Sequence, residues 1–323
     1  MASQPSFEEI AEAYRGVQDH IVDFLQREAH CVVVEDLWTY DKGTGGGRTR
    51  VTECEHIDAI DLDATTLDAS RSLIEKGGVN FSAIGGDSLP SSSSAVLMVE
   101  PAPFQATGVS LVIHPRSPHI PTIHMNIRFF ESGAKWWFGG GVDLTPNYVH
   151  EHADVVGFHA TCRAVCERHG VNYLELKRTC DSYFYLAHRD ETRGIGGLFY
   201  DHLNLEHSGH SREQLLRFSV DLGRSFVDLY APFITKYRAM PYSAAQREYL
   251  LHRRSRYVEF NLLFDRGTKF GIQSQGRTES ILMSMPAVAK WSYNWAPEVG
   301  TPEHDFTTKY LHASDWLGLE STQ

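Results

Sequence analysis

Two stretches of the chain carry imidazole, amide and guanidinium groups at alternate positions. Thr122 to Phe130 holds His124, Asn126 and Arg128, and Gly108 to His114 holds Ser110 and His114. In a strand, side chains at i, i+2 and i+4 project from one face. Read as strands, these segments put Val109, Leu111, Ile113, Ile123, Met125, Ile127 and Phe129 on one face and the donors on the other. A solvated sheet face usually mixes Thr, Lys and Glu. This one offers hydrogen-bond donors and imidazoles, which suits an anionic ligand. The arginine fork matches a carboxylate in two parallel bonds. Histidine exchanges protons near neutrality, and His124 shares its face with Arg128. The chemistry expected is carboxylate binding with proton transfer beside it.

Asp143 follows the run Trp136-Trp-Phe-Gly-Gly-Gly141-Val. It reads either as a turn or cap former, or as a buried carboxylate beside an anion-binding arginine. Arg128, Arg193, Arg253, Arg254, Arg256, Arg266 and Arg277 cluster in the patterned regions of an acidic chain. Arg253 to Arg256 read as ion pairs across helices, whereas Arg277 follows Gly276 at a helix start, where backbone N–H groups favour anions. His159 reads as a core histidine, and His150-Glu-His152 as a solvated helix start. No HExxH or facial-triad spacing brings imidazoles together, and no nucleophile elbow, P-loop or GxGxxG fingerprint occurs. The residues alone lead to an enzyme or binder of an anionic, multi-carboxylate ligand.

The elements that must position these groups are legible in part. Ser6 and Glu9 form a capping box ahead of Ile10, Tyr14, Val17, Ile21 and Phe24, predicting a helix over 7–29. Helices are expected at 150–169, with Val155, His159, Cys162 and Cys166 on one stripe, and at 173–186. Two more capping boxes, Ser211/Gln214 and Ser243/Gln246, open helices. Val258, Phe260, Leu262 and Phe264 alternate like a strand that turns at Asp265 to Thr268 into Lys269 to Ser274. Gln275-Gly-Arg277 opens a helical run ending near Pro286. Gly43 to Gly47 reads as a mobile or substrate-covering loop, residues 53–70 as an acidic segment, and Ser91 to Ser94 as a polar loop.

With 323 residues, 42% of them hydrophobic and 22% charged, the chain is an ordinary globular one long enough for a single large core. A net charge of −11 excludes nucleic-acid binding driven by overall charge. The five cysteines show no CxxC pair and read as free thiols in a reducing compartment. No stretch approaches the roughly 20 apolar residues of a membrane span, and the start Met-Ala-Ser-Gln-Pro has no leader pattern. A cytoplasmic location is the expectation.

At these motifs the chain resembles the oxygen-dependent coproporphyrinogen III oxidase family. The resemblance is carried by Gly108 to Pro115, His124 to Phe130, Trp137 to Pro146, Tyr185 to Arg189, Arg193 to Phe199, Arg256 to Leu262 and Gly276 to Ser284. It runs from the first helix to Trp316. It implies one α+β domain over 1–323, with a large curved antiparallel sheet flanked by helices on both sides. It also implies oxidative decarboxylation of the ring A and B propionates of coproporphyrinogen III to the vinyls of protoporphyrinogen IX. That reaction uses O2, releases CO2 and H2O2, and belongs to haem synthesis. Ser110, Asn126, Ile127, Arg128, Gln275, Gly276 and Arg277 are the implied substrate contacts, and His124, Arg128 and Asp143 the implied catalytic residues. His124 is the proposed proton donor, and Asp143 with Arg128 the key carboxylate–guanidinium pair. A homodimer without cofactor is implied. For bacterial members, a divalent metal on His114, His124, His159 and His188 is the alternative. Gln275, where the family often has glycine, and His202, where it commonly has a second aspartate after Asp201, are departures. Asp143 is expected to engage pyrrole N–H groups. A tetrapyrrole carrier and a metal-dependent oxygenase are the competing classes.

Overall fold

The computed structural model describes residues 4–53, 72–88, 102–273 and 276–319. Helix α1 (Phe7–Ala29) begins at Ser6, whose hydroxyl and the Glu9 carboxylate cap each other's backbone as the sequence predicts. Ile10, Tyr14, Val17, Ile21 and Phe24 are all buried along one side of this helix. They lie against a seven-stranded sheet in the order β1 (Val34–Thr39), β2 (Thr44–Glu53), β3 (Ile74–Gly86), β4 (Phe104–Pro115), β5 (Thr122–Ser132), β6 (Lys135–Thr145) and β9 (Gly196–Leu203), antiparallel throughout. The predicted apolar face is observed: Val109, Leu111, Ile113, Ile123, Met125, Ile127 and Phe129 are each at most 1% exposed. Sequestering each such side chain is worth roughly 2 kcal/mol, so this layer anchors the sheet.

Helices α2 (His152–Arg168), α3 (Tyr173–Tyr183), α5 (Arg212–Arg224) and α6 (Phe226–Tyr237) contribute to the same core, with the short β7 (Tyr185–Leu186), β8 (Glu191–Thr192) and α4 (Leu205–Ser208) between them. Gly223 on α5 is required by close approach, since a Cβ there would come within 3 Å of Val17 and Ile127. On the opposite face of the sheet lie α7 (Ala244–Leu263), α8 (Arg266–Gln273) and α9 (Thr278–Leu282), while α10 (Pro302–Tyr310) follows near the end of the chain.

Four expectations are corrected. Val258 to Phe264 is not a strand: the helix opened by the Ser243/Gln246 box runs on to Leu263, and α8 replaces the return strand. Thirteen residues of α7 are buried, on all sides of the helix, so no 3.6-residue stripe was there to read. Gly43 to Gly47 is not a loop, because Thr44 onward is β2 paired on both sides. A Cβ at Gly47 would fall 2.2 Å from the Trp38 ring, so that glycine lets the ring cross the strand. Of the two readings of Asp143 the turn former falls and the buried carboxylate beside an arginine holds, within strand β6, and the second mid-chain helix ends at Tyr183. Residues 54–70 and Ser91 to Ser94 lie outside the described residues.

Candidate functional site

The strand register sets side chains in rows across the face of the sheet that α7, α8 and α9 cover. Gly78, Val112, His124, Asp143 and Gly197 pair in one row; Asn80, Ser110, Asn126, Gly141 and Phe199 in the next; Ser82, Gly108, Arg128 and Gly139 in a third; Ile84, Ala106, Phe130 and Trp137 in a fourth. Between these rows and Tyr257, Asn261, Arg266, Arg277 and Ser280 of the covering segments is a cavity of about 580 Å³. That size suits a large organic ligand. Gly139 is glycine because a Cβ there would stand 2.6 Å from Arg128 Nε. The bare backbone gives the guanidinium its place over the sheet.

Asp143 is 1% exposed and does not line the cavity. Arg193 Nε donates to its Oδ2 at 3.1 Å, and Arg193 Nη2 to Oδ1 at 2.7 Å and Oδ2 at 2.8 Å. The His124 Nδ1–H donates to Oδ1 at 2.7 Å, leaving ring nitrogen Nε2 for the cavity, which His124 lines. Burial pushes the Asp143 carboxyl up, but Arg193 and His124 outweigh it and hold its pKa below the ordinary value. Arg193 reaches the cavity wall yet is only 2% exposed, with its guanidinium carbon 4.1 Å from the Phe184 ring centre and 4.6 Å from that of Tyr257. Its Nη1 donates to Asn261 Oδ1 at 2.9 Å.

Arg128 has a different partner from the one expected. It pairs with Asp201 at 3.0 Å and donates to Asn126 Oδ1 at 3.0 Å, while Asp143 belongs to Arg193. Burial works against charge on Arg128, yet Asp201 raises its pKa overall, and the mirror effect lowers that of Asp201. Arg266 Nη2 approaches the other Asp201 oxygen at 3.8 Å. Asp201, Arg266 and Tyr183 were not singled out in the sequence as site residues. Their common signal is nearness to motifs that were: Asp201 stands two residues past the Arg193 to Phe199 segment, and Arg266 four residues past Arg256 to Leu262.

Ser110, Asn126 and Arg128 meet on the cavity face as expected, and Gly276 and Arg277 line the opposite wall. Arg277 pairs with Asp36 and lies 5.9 Å from the Trp38 ring centre. The side chain of Ile127 points away, into the core, and unlike its neighbours Asn126 and Arg128 the residue does not line the cavity. Gln275 lies outside the described residues.

The four histidines do not fit a metal. His114 Nε2 donates to Ser284 O at 2.9 Å, with Nδ1 3.3 Å from Thr122 Oγ1. His159 lies between Tyr173 Oη and the Ile195 carbonyl, at 2.9 and 3.0 Å. His188 contacts Glu259 at 2.7 Å, and His124 contacts Asp143. Burial pushes His114 and His159 down to about 3. Each ring is committed separately, and among the described residues no three His, Cys, Asp or Glu side chains gather as a metal requires.

Residues 9–316 match the sequence profile of a family described as Coproporphyrinogen III oxidase. Over 323 residues, covering 97% of this chain and 95% of the relative, the chain is 51% identical to a Dictyostelium discoideum protein named "Oxygen-dependent coproporphyrinogen-III oxidase".

Proposed function

The chain belongs to the coproporphyrinogen III oxidase family, and on that premise we propose that its cavity performs the oxygen-dependent oxidative decarboxylation of coproporphyrinogen III to protoporphyrinogen IX in haem synthesis. For each of two arms, a propionate, one O2 and one proton become a vinyl, CO2 and H2O2. The C–H next to the ring delivers its hydrogen and two electrons to O2, which gains a proton. The electron pair of the breaking C–COO⁻ bond becomes the new C=C bond.

The observation that carries this reading is the placement of His124 and Arg128 on one strand face, four residues apart, within one cavity. Arg128 holds the reacting propionate, with Asn126 and Ser110 beside it. His124 presents Nε2 to the pyrrole edge and moves the proton. Asp143 orients that ring through Nδ1 and is a positioning residue, because its oxygens are taken by His124 and Arg193. O2 can accept electrons directly from an electron-rich pyrrole, so the reaction runs without metal or organic cofactor.

The working form is a homodimer in the cytosol, acting on coproporphyrinogen III and O2. Free thiols at Cys31, Cys162, Cys166 and Cys180 support a reducing compartment. The exposed apolar side chains Leu262, Leu263 and Ile272 support a second copy. No helix among the described residues is long and apolar enough to cross a membrane.

Chelator-treated protein incubated with coproporphyrinogen III in air, with porphyrins resolved by chromatography, tests the function. Protoporphyrinogen formation without added metal is expected. Turnover restored only by a divalent metal would replace the metal-free route. Tight binding without turnover under any metal would make the protein a carrier.

A further inference from the structure

The fourth row of the cavity floor differs in kind from the other three. Ile84, Ala106, Phe130 and Trp137 pair across β3 to β6, with Phe130 and Trp137 ring centres 4.4 Å apart and Phe104 stacked 6.3 Å beyond Phe130. The sole polar side-chain atom among those four residues is the Trp137 indole nitrogen. His202 stacks on the Trp137 ring at 4.7 Å and closes the row beside Asp201. Residues two apart on a strand are separated by about 6.8 Å, so this apolar row lies one such step from the Arg128 row.

On this row a propionate finds the Trp137 indole N–H and the His202 ring but no arginine or lysine. Its charge would give up water for aromatic faces, which carry negative quadrupole density and repel anions. A vinyl group suits the same surface, with two apolar carbons lying against Phe130 and Trp137. The first decarboxylation creates such a group, and the second requires the product of the first to bind with its next propionate at Arg128.

We propose that Ala106, Phe130 and Trp137 form a specificity site that seats the newly made vinyl group during the second decarboxylation. The inference rests on the reaction proposed above and adds the feature that distinguishes its two turnovers. The tetrapropionate substrate enters on carboxylate contacts alone. The monovinyl intermediate has lost one of those and recovers affinity on the apolar row. Burying two apolar carbons corresponds to roughly tenfold in affinity.

The test compares wild type with Trp137→Ala, Trp137→Phe and Ala106→Leu, each supplied separately with the tetrapropionate substrate and with purified monovinyl tripropionate. Ala106→Leu fills the seat from a cavity-lining, half-buried position, so it tests the site even where Trp137→Ala fails to fold. Expected for Trp137→Ala and Ala106→Leu is a KM for the monovinyl compound raised about tenfold, with the tetrapropionate KM raised less than about threefold. Monovinyl compound then accumulates during turnover, and Trp137→Phe restores the wild-type ratio. Equal rises for both substrates, or an unchanged ratio in both variants, would overturn the proposal. If wild type converts neither substrate, the oxidase reading itself fails and the seat with it.

Discussion

Two aspartate–arginine pairs stand beside the cavity, Asp143 with Arg193 and Asp201 with Arg128, and they differ in almost everything but composition. Asp143 and Arg193 have side chains 2% exposed, are joined by three hydrogen bonds, and are walled by aromatic rings. Arg128 and Asp201 are 37% and 23% exposed and are joined at one point facing the cavity. A sealed pair cannot exchange partners, because a lone charge left inside costs several kcal/mol. An open pair can, because water and a ligand carboxylate compete for the same guanidinium at little cost. The first pair is therefore a fixture that holds His124 in place, and the second is one whose guanidinium is free to trade Asp201 for another carboxylate.

Breaking the sealed pair has the largest expected effect. Arg193→Ala leaves buried Asp143 with His124 as its remaining partner and lowers stability by roughly 3 kcal/mol, measurable by denaturant titration. An unchanged midpoint would show that Asp143 reaches solvent. Arg128→Gln separates the two roles: stability changes by less than about 1 kcal/mol while kcat/KM falls about a hundredfold. Equal damage to folding would make Arg128 another fixture.

Acid sharpens the same contrast. Glu75, fully buried between Arg247 and Arg254, is driven up by burial but held down by those arginines, from 4.5 to about 2. Its folded pKa lies below the unfolded one, so its contribution is full above about 4.5 and is lost as pH falls toward 2. His114 and His159, at about 3 when folded, likewise favour the folded state until pH falls below about 6.5. Stability measured against pH should decline below 6.5 and steepen below 4.5. Glu75→Gln should flatten the lower limb, and a curve indifferent to that change would remove Glu75 as its cause. The smallest effect is expected at the open pair. Asp201→Asn frees Arg128 of its competitor and lowers KM by no more than about fivefold, with a change in stability below about 1 kcal/mol.

What could be read in advance followed from strong local codes. Capping boxes at Ser6, Ser211 and Ser243 open helices where expected. The period-two pattern of β4 and β5 separates Ser110, His124, Asn126 and Arg128 from the core, because one face of that sheet is apolar. The code fails where both sides of an element are buried. In α7, Arg247, Arg253, Arg254 and Arg256 are buried against Glu75, Glu191 and Glu259, so charged residues occupy positions that periodicity assigns to solvent.

The sequence by itself determined the family and the apolar and polar faces of the central strands, with Arg128 on the polar one. Tertiary structure alone decided that Asp143 belongs to Arg193 and Arg128 to Asp201. It also decided that the four histidines have separate partners and that an apolar row lies beside the charged one. The physical reason is that strand alternation depends on neighbours two residues apart, while ion pairing depends on which groups folding brings within about 3 Å. Asp143 and Arg193 are 50 residues apart in the chain, and no local pattern connects them.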